Sequence, residues 1–72
     1  MSTAIKVDID GIVTEDILRR AFSSFGEIEN IRLFYTHYTE PFAVIIFVSE
    51  VAANKVRRLK EFRLGSCTVK VS

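Results

Sequence analysis

The chain predicts a two-layer α+β fold with the element order β-α-β-β-α-β, and three observations carry that expectation. Two segments alternate apolar and polar side chains, Ile5/Val7/Ile9 against Lys6/Asp8/Asp10 and Cys67/Val69/Val71 against Thr68/Lys70, which is the period of a strand with one wet face. Two others repeat apolar residues at helical spacing, Leu18/Ala21/Phe22/Phe25 and Ala52/Ala53/Val56/Leu59. Between them Pro41-Phe42-Ala43-Val44-Ile45-Ile46-Phe47-Val48 is apolar on both alternating sets, Phe42/Val44/Ile46 and Ala43/Ile45/Phe47. A strand with one face on water carries polar residues on one set, so one of these two sets needs a use other than the core.

Each element has its own local signals. Gly11 ends the first strand. Thr14 caps the first helix, Glu15 and Asp16 favour its positive end, and Val13 is placed to staple onto Leu18. Ile17 widens the apolar stripe, Arg19, Arg20, Ser23 and Ser24 face away, and Gly26 is expected as the left-handed residue after the helix. Ile31 and Leu33 alternate with Arg32 and Phe34 in a second strand. Tyr35-Thr36-His37-Tyr38-Thr39-Glu40-Pro41 then forms a polar, aromatic connection, and Pro41 stays outside the next ladder. Ser49 caps the second helix, with Glu50 in its first turn. Phe62 and Leu64 anchor the exit and Gly65-Ser66 turns the chain into the last strand.

This order is the ferredoxin-like one: a four-stranded antiparallel sheet with two helices on one face. The other face is left open. In that register Ala43, Ile45 and Phe47 point to the helices, and Phe42, Val44 and Ile46 share the open face with Lys6, Arg32, Phe34, Thr68 and Lys70.

Composition sets outer limits. Seventy-two residues make one small domain, residues 1–72, near the size below which disulfides or metals are usually needed. A single cysteine forms no internal disulfide, and the first residues lack the blocks of a signal peptide, so an intracellular setting, cytoplasm or nucleus, is expected. No apolar run is long enough to cross a bilayer, so no membrane role is expected. Ten Lys plus Arg against nine Asp plus Glu give a net charge of +1, which is little for a domain living on phosphate contacts.

Catalysis finds little support. One His, one Cys and no adjacent ligand set offer neither a Cys/His pair nor a metal site, and Gly11, Gly26 and Gly65 are separate punctuation, not a phosphate loop. The expectation is a non-enzyme without metal or cofactor. Cys67 is expected to pack inward.

Several segments together resemble the RNA recognition motif family over nearly the whole chain. Residues Val13 to Gly26 look like that family's first helix, and Glu27-Ile28-Glu29-Asn30-Ile31-Arg32-Leu33 like its continuation into strand two. Phe42-Ala43-Val44-Ile45-Ile46-Phe47-Val48 resembles the octamer motif of strand three, and the stretch from Leu59 through Gly65 to Val71 the last loop and strand. The resemblance implies single-stranded RNA stacked on sheet aromatics, and members that commonly belong to larger multidomain proteins. The octamer pattern is basic-Gly-aromatic-Gly/Ala-aromatic-Val-any-aromatic. Here Glu40 replaces the basic residue, Pro41 the glycine and Val44 the second aromatic, while Lys6 stands where strand one usually has an aromatic. Phe42 remains. Each lost platform removes on the order of 1–3 kcal/mol per base.

The expected function is therefore a module of RNA metabolism acting mainly as a protein-docking or dimerising domain within a ribonucleoprotein or RNA-regulatory complex. Phe34, Val44 and Ile46 are the candidate interface. The alternative is weak single-stranded RNA binding by Phe42, Lys6, Arg32, Phe34 and Lys70. A small-ligand regulatory domain of the same topology is a second alternative, though nothing marks its site. Lys55, Arg57 and Arg58, with Lys60 and Arg63, offer a basic helix face to phosphates or an acidic partner; a solvated face with Glu61 pairing Arg57 or Arg58 is the plainer account. Tyr35, His37 and Tyr38 offer a loop grip on a nucleotide, a flexible loop being the blander reading. Members that grip a tryptophan-containing peptide carry Arg-x-Phe before the last strand. Phe62-Arg63-Leu64 stands there instead, and Lys60-Glu61-Phe62 is only a shifted imitation, so the chain departs from that subclass.

Overall fold

The computed structural model describes residues 3–35, 40–65 and 67–71, apart from the side chain of Phe62. In chain order the elements are β1 (Ala4–Asp10), α1 (Glu15–Phe22), β2 (Ile28–Phe34), β3 (Phe42–Phe47), α2 (Glu50–Leu59), β4 (Glu61–Leu64) and β5 (Cys67–Val71). They form the expected ferredoxin-like arrangement, with an antiparallel sheet of order β2-β3-β1-β5-β4. No helix among the described residues is long and apolar enough to cross a membrane.

The sheet has five strands where four were expected. The addition is β4, a segment anticipated only as an anchored exit. α2 stops because Lys60 takes a positive φ of 63°, a region that side chains rarely adopt. The chain reverses there and runs back antiparallel to β5 through Gly65, whose φ is also positive. Val71 N–H donates to the Lys60 carbonyl at 2.6 Å, tying the reversal to the sheet.

One face of the sheet carries the core. Ile5, Val7 and Ile9 of β1, Ile31 of β2, Ala43, Ile45 and Phe47 of β3, and Cys67 and Val69 of β5 are buried with Leu18 and Phe22 of α1 and Ala52, Ala53 and Val56 of α2. Fully burying such side chains contributes about 1.5–3 kcal/mol each, so this one-sided layer supplies the fold's main stabilisation. A β-bulge helps fill it. The register slips between Ile28 and Asn30, so Ile28 opposite Phe47 and Ile31 opposite Ile45 both face the helices despite their odd spacing.

The helix starts follow the caps read from the sequence. Ile17 N–H donates to Thr14 Oγ1 at 3.3 Å and Val51 N–H to Ser49 Oγ at 3.1 Å. Val13 is buried, in keeping with a staple onto Leu18. The ends differ from expectation. α1 finishes at Phe22, before Phe25, because Ser23 and Ser24 donate their hydroxyls to the Arg20 and Ala21 carbonyls at 3.1 and 2.9 Å and close the turn. Phe25 still packs against the core, tilted on Phe22 at 6.1 Å. Ile17 is exposed and does not widen the stripe, and Leu59 is 43% exposed, because it is the last residue of α2 before the reversal.

Gly26 has a different reason to be glycine from the one expected. Its φ is not positive; a Cβ there would stand 2.5 Å from Ala52 Cβ on α2. The missing side chain lets the turn after α1 touch α2. Gly26→Ala is therefore expected to destabilise the domain by about 1–3 kcal/mol in urea unfolding, and Ala52→Gly to cost less in that background than in the parent.

Candidate functional site on the open sheet face

Cross-strand register lays the open face out in rows. One row runs Phe34, Phe42, Asp8, Lys70, Glu61 across all five strands. Beside it on one side stand Arg32, Val44 and Lys6, and next Asn30, Ile46 and Ala4. On the other side stand Asp10, Thr68 and Arg63. The face thus brings together every residue proposed for it: Lys6, Arg32, Phe34, Phe42, Val44, Ile46 and Lys70.

Its centre is Phe42. The ring of Phe34 stacks on it with centroids 4.9 Å apart and planes 19° apart. Lys6 Nζ lies over the same ring, 4.9 Å from its centroid. Because β3 lies between β2 and β1, Phe34 approaches from one flank and Lys6 from the other. The Phe42 ring is thus engaged within the chain by both neighbours. The aromatic pair is worth about 0.5–1.5 kcal/mol beyond area burial and the cation contact about 0.5–1 kcal/mol.

Next to Phe42 is a cavity of about 540 Å³ lined by Lys6, Asp8, Ile9, Asp10, Glu40, Phe42 and Lys70. Three carboxylates meet two ammonium groups here. Sequence reasoning set Asp8 and Asp10 on the wet side of β1 but left them out of the site; the period that placed Lys6 on the open face placed them there too. The Pro41 carbonyl, just before β3, accepts from Ile9 N–H at 2.9 Å and holds this end of the strand against β1.

Several expectations are corrected by the fold. Phe42, Val44 and Ile46 are half-buried, so the apolar strip is narrower than a bare apolar run; Phe34, 37% exposed, is its most open member. Arg63 lies not on the helix side but opposite Thr68 on the open face, because β4 joins the sheet. For the same reason Glu61 stands opposite Lys70, away from Arg57 and Arg58. Tyr35 does not hang free: its hydroxyl donates to the Val13 carbonyl at 2.6 Å. His37 and Tyr38 lie outside the described residues.

The basic helix face is the other candidate. Lys55, Arg57 and Arg58 are exposed on α2, remote from the open face. Arg57 is partly structural, donating to Asn54 Oδ1 at 2.8 Å and to the Ala4 carbonyl at 3.4 Å. Among the described residues no group of three or more His, Cys, Asp or Glu could hold a metal ion.

Together these features define a two-layer module whose uncovered sheet carries an aromatic pair among mixed charges. The family model of the RNA recognition motif matches residues 9–70, and the chain belongs to that family of RNA-binding modules. No curated protein matches it significantly. Among solved structures it is similar to the Rna15 RNA recognition motif with bound GU RNA, at 25% identity and a TM-score of 0.76 over 100% of this chain and 82% of that one. It is also similar to the C-terminal RNA recognition motif of the hypothetical RNA-binding protein RBM19, at 20% identity and 0.78 over 100% and 74%. A third is the PID-3 TOFU-6 RRM domain complex, at 17% identity and 0.78 over 99% and 83%. The last two, at that identity, speak for the fold alone.

Cys67 lies inward, as expected, beneath Gly11, whose positive φ and lack of a Cβ let its backbone pass close above the sulfur. Burial pushes the Cys67 thiol above its ordinary pKa, and the negative charge of Asp10 adds to the rise. A raised value means the fold favours the neutral thiol. Its stabilising contribution is whole at neutral pH and is lost as pH climbs from the ordinary thiol range through the raised value. Thiolate absorbance is expected to appear later in alkaline titration than for an unfolded thiol. Asp10→Asn should recover only the smaller part of the delay, since burial is the larger cause.

Proposed function

We propose that this RNA recognition motif works in RNA metabolism mainly as a protein-docking or dimerising module, using the open sheet face around Phe34, Val44 and Ile46. The observation that carries the proposal is the engagement of the Phe42 ring by Phe34 and Lys6. A base stacking there gains about 1–3 kcal/mol and must first displace a contact worth about 0.5–1 kcal/mol. With Val44 and Lys6 at the neighbouring positions, the ring beside Phe42 is Phe34, already stacked on it. Asp8, Asp10 and Glu40 set three negative charges against Lys6 and Lys70 around the adjoining cavity, a poor setting for phosphate and an ordinary one for a protein interface.

Single-stranded RNA binding is the second reading. Phe34 and Phe42 form an aromatic platform flanked by Lys6 and Arg32, and the similar Rna15 motif was solved with RNA. It stands as a weak activity beside docking. In either role the domain works within a larger ribonucleoprotein or RNA-regulatory complex in the cytoplasm or nucleus, without catalysis of its own.

Two measurements separate the readings. Val44→Asp or Ile46→Asp is expected to dissolve a self-association or partner complex, seen by light scattering after size exclusion, while circular dichroism stays unchanged. A chain that is monomeric at every concentration and co-purifies with nothing on this face rejects docking. Micromolar single-stranded oligonucleotide is expected to leave the amide resonances of Lys6, Arg32 and Phe42 in place. If they move, if Phe42→Ala stops them moving, and if salt weakens the binding steeply, RNA reading comes first.

A further inference from the structure

We propose that the outer face of α2 is a second docking surface, one that takes an acidic protein segment carrying an apolar side chain. Val51, Asn54, Lys55 and Arg58 line a groove of about 230 Å³ there. Their spacing makes one helical stripe, turned away from Ala52, Ala53 and Val56, which are buried against the sheet.

The groove is not a plain solvated charge run. Val51 is 64% exposed, although a β-branched residue on an open helix face loses helix propensity and adds nothing to the core. Val48, before the helix, and Leu59, its last residue, are exposed as well. Lys55 and Arg58 make no ion pair or hydrogen bond among the described residues, whereas Arg57 is occupied by Asn54 and the Ala4 carbonyl. Glu50, in the first turn, is the only acid in α2, and no carboxylate lines the groove.

A positive field over an apolar patch selects its complement: carboxylates on either side of an apolar side chain. RNA phosphates would match the cations but would set a charged backbone against Val51. The peptide satisfies both parts of the groove. This surface lies away from the open sheet face, so the two can be occupied together and fail separately.

The test titrates the isotope-labelled chain with a short synthetic peptide of Asp and Glu around a central Leu. The same peptide with Lys in place of the acids, and a short oligouridylate, serve as controls. The acidic peptide is expected to shift the amides of Val51, Asn54, Lys55 and Arg58 and to leave Lys6, Arg32 and Phe42 still. Lys55→Glu with Arg58→Glu should weaken it at least about tenfold. Val51→Ser should weaken it roughly threefold, with an unchanged circular dichroism spectrum in both variants. The proposal is overturned if the acidic peptide moves nothing on α2, if oligouridylate moves those amides as strongly, or if Val51→Ser leaves binding intact.

Discussion

Two helices of eight and ten residues can cover one face of this sheet and no more. Everything else in the molecule depends on that limit. The inward set of β3, Ala43, Ile45 and Phe47, is completely buried, and the outward set on the same strand, Phe42, Val44 and Ile46, is left to find partners within its own layer. Phe42 finds two of them, Phe34 and Lys6. The outward surface is thus partly closed by its own neighbours, Phe34 on β2 and Lys6 on β1.

Much of this was legible in the chain. The strand and helix periods, both caps and the inward and outward sets of β3 follow from local physics, because the alternation of a strand and the hydroxyl before a helix are decided by near neighbours. What escaped was decided at a distance. Gly26 looks like a helix terminator until the approach of Ala52, twenty-six residues on, gives it a steric reason. β4 is four residues long, too short to signal a period, and exists because Lys60 turns the backbone and β5 offers an edge.

The site divides in the same way. Phe42, Phe34, Lys6, Arg32 and Lys70 were assigned to the open face by counting in twos, and the register puts them there. Which of them touch, and which carboxylates stand beside them, depends on pairing between strands far apart in sequence. Asp8 sits in the row between Phe42 and Lys70 only because β1 lies between β3 and β5. Arg63 was assigned to a helix face by its nearness to Lys55 and Arg58 in sequence. The hairpin carries it to the opposite layer.

The two edges of the sheet also govern how far association can go. β2 carries a bulge at Glu29 with Asn30 bonding its own neighbour's N–H, and β4 is short, with Glu61 and Arg63 along it. The register shift interrupts β2 near its start, and β4 offers only four residues to a joining strand. An incoming strand would meet a register shift on one edge and a four-residue ladder on the other, which disfavours growth by strand addition.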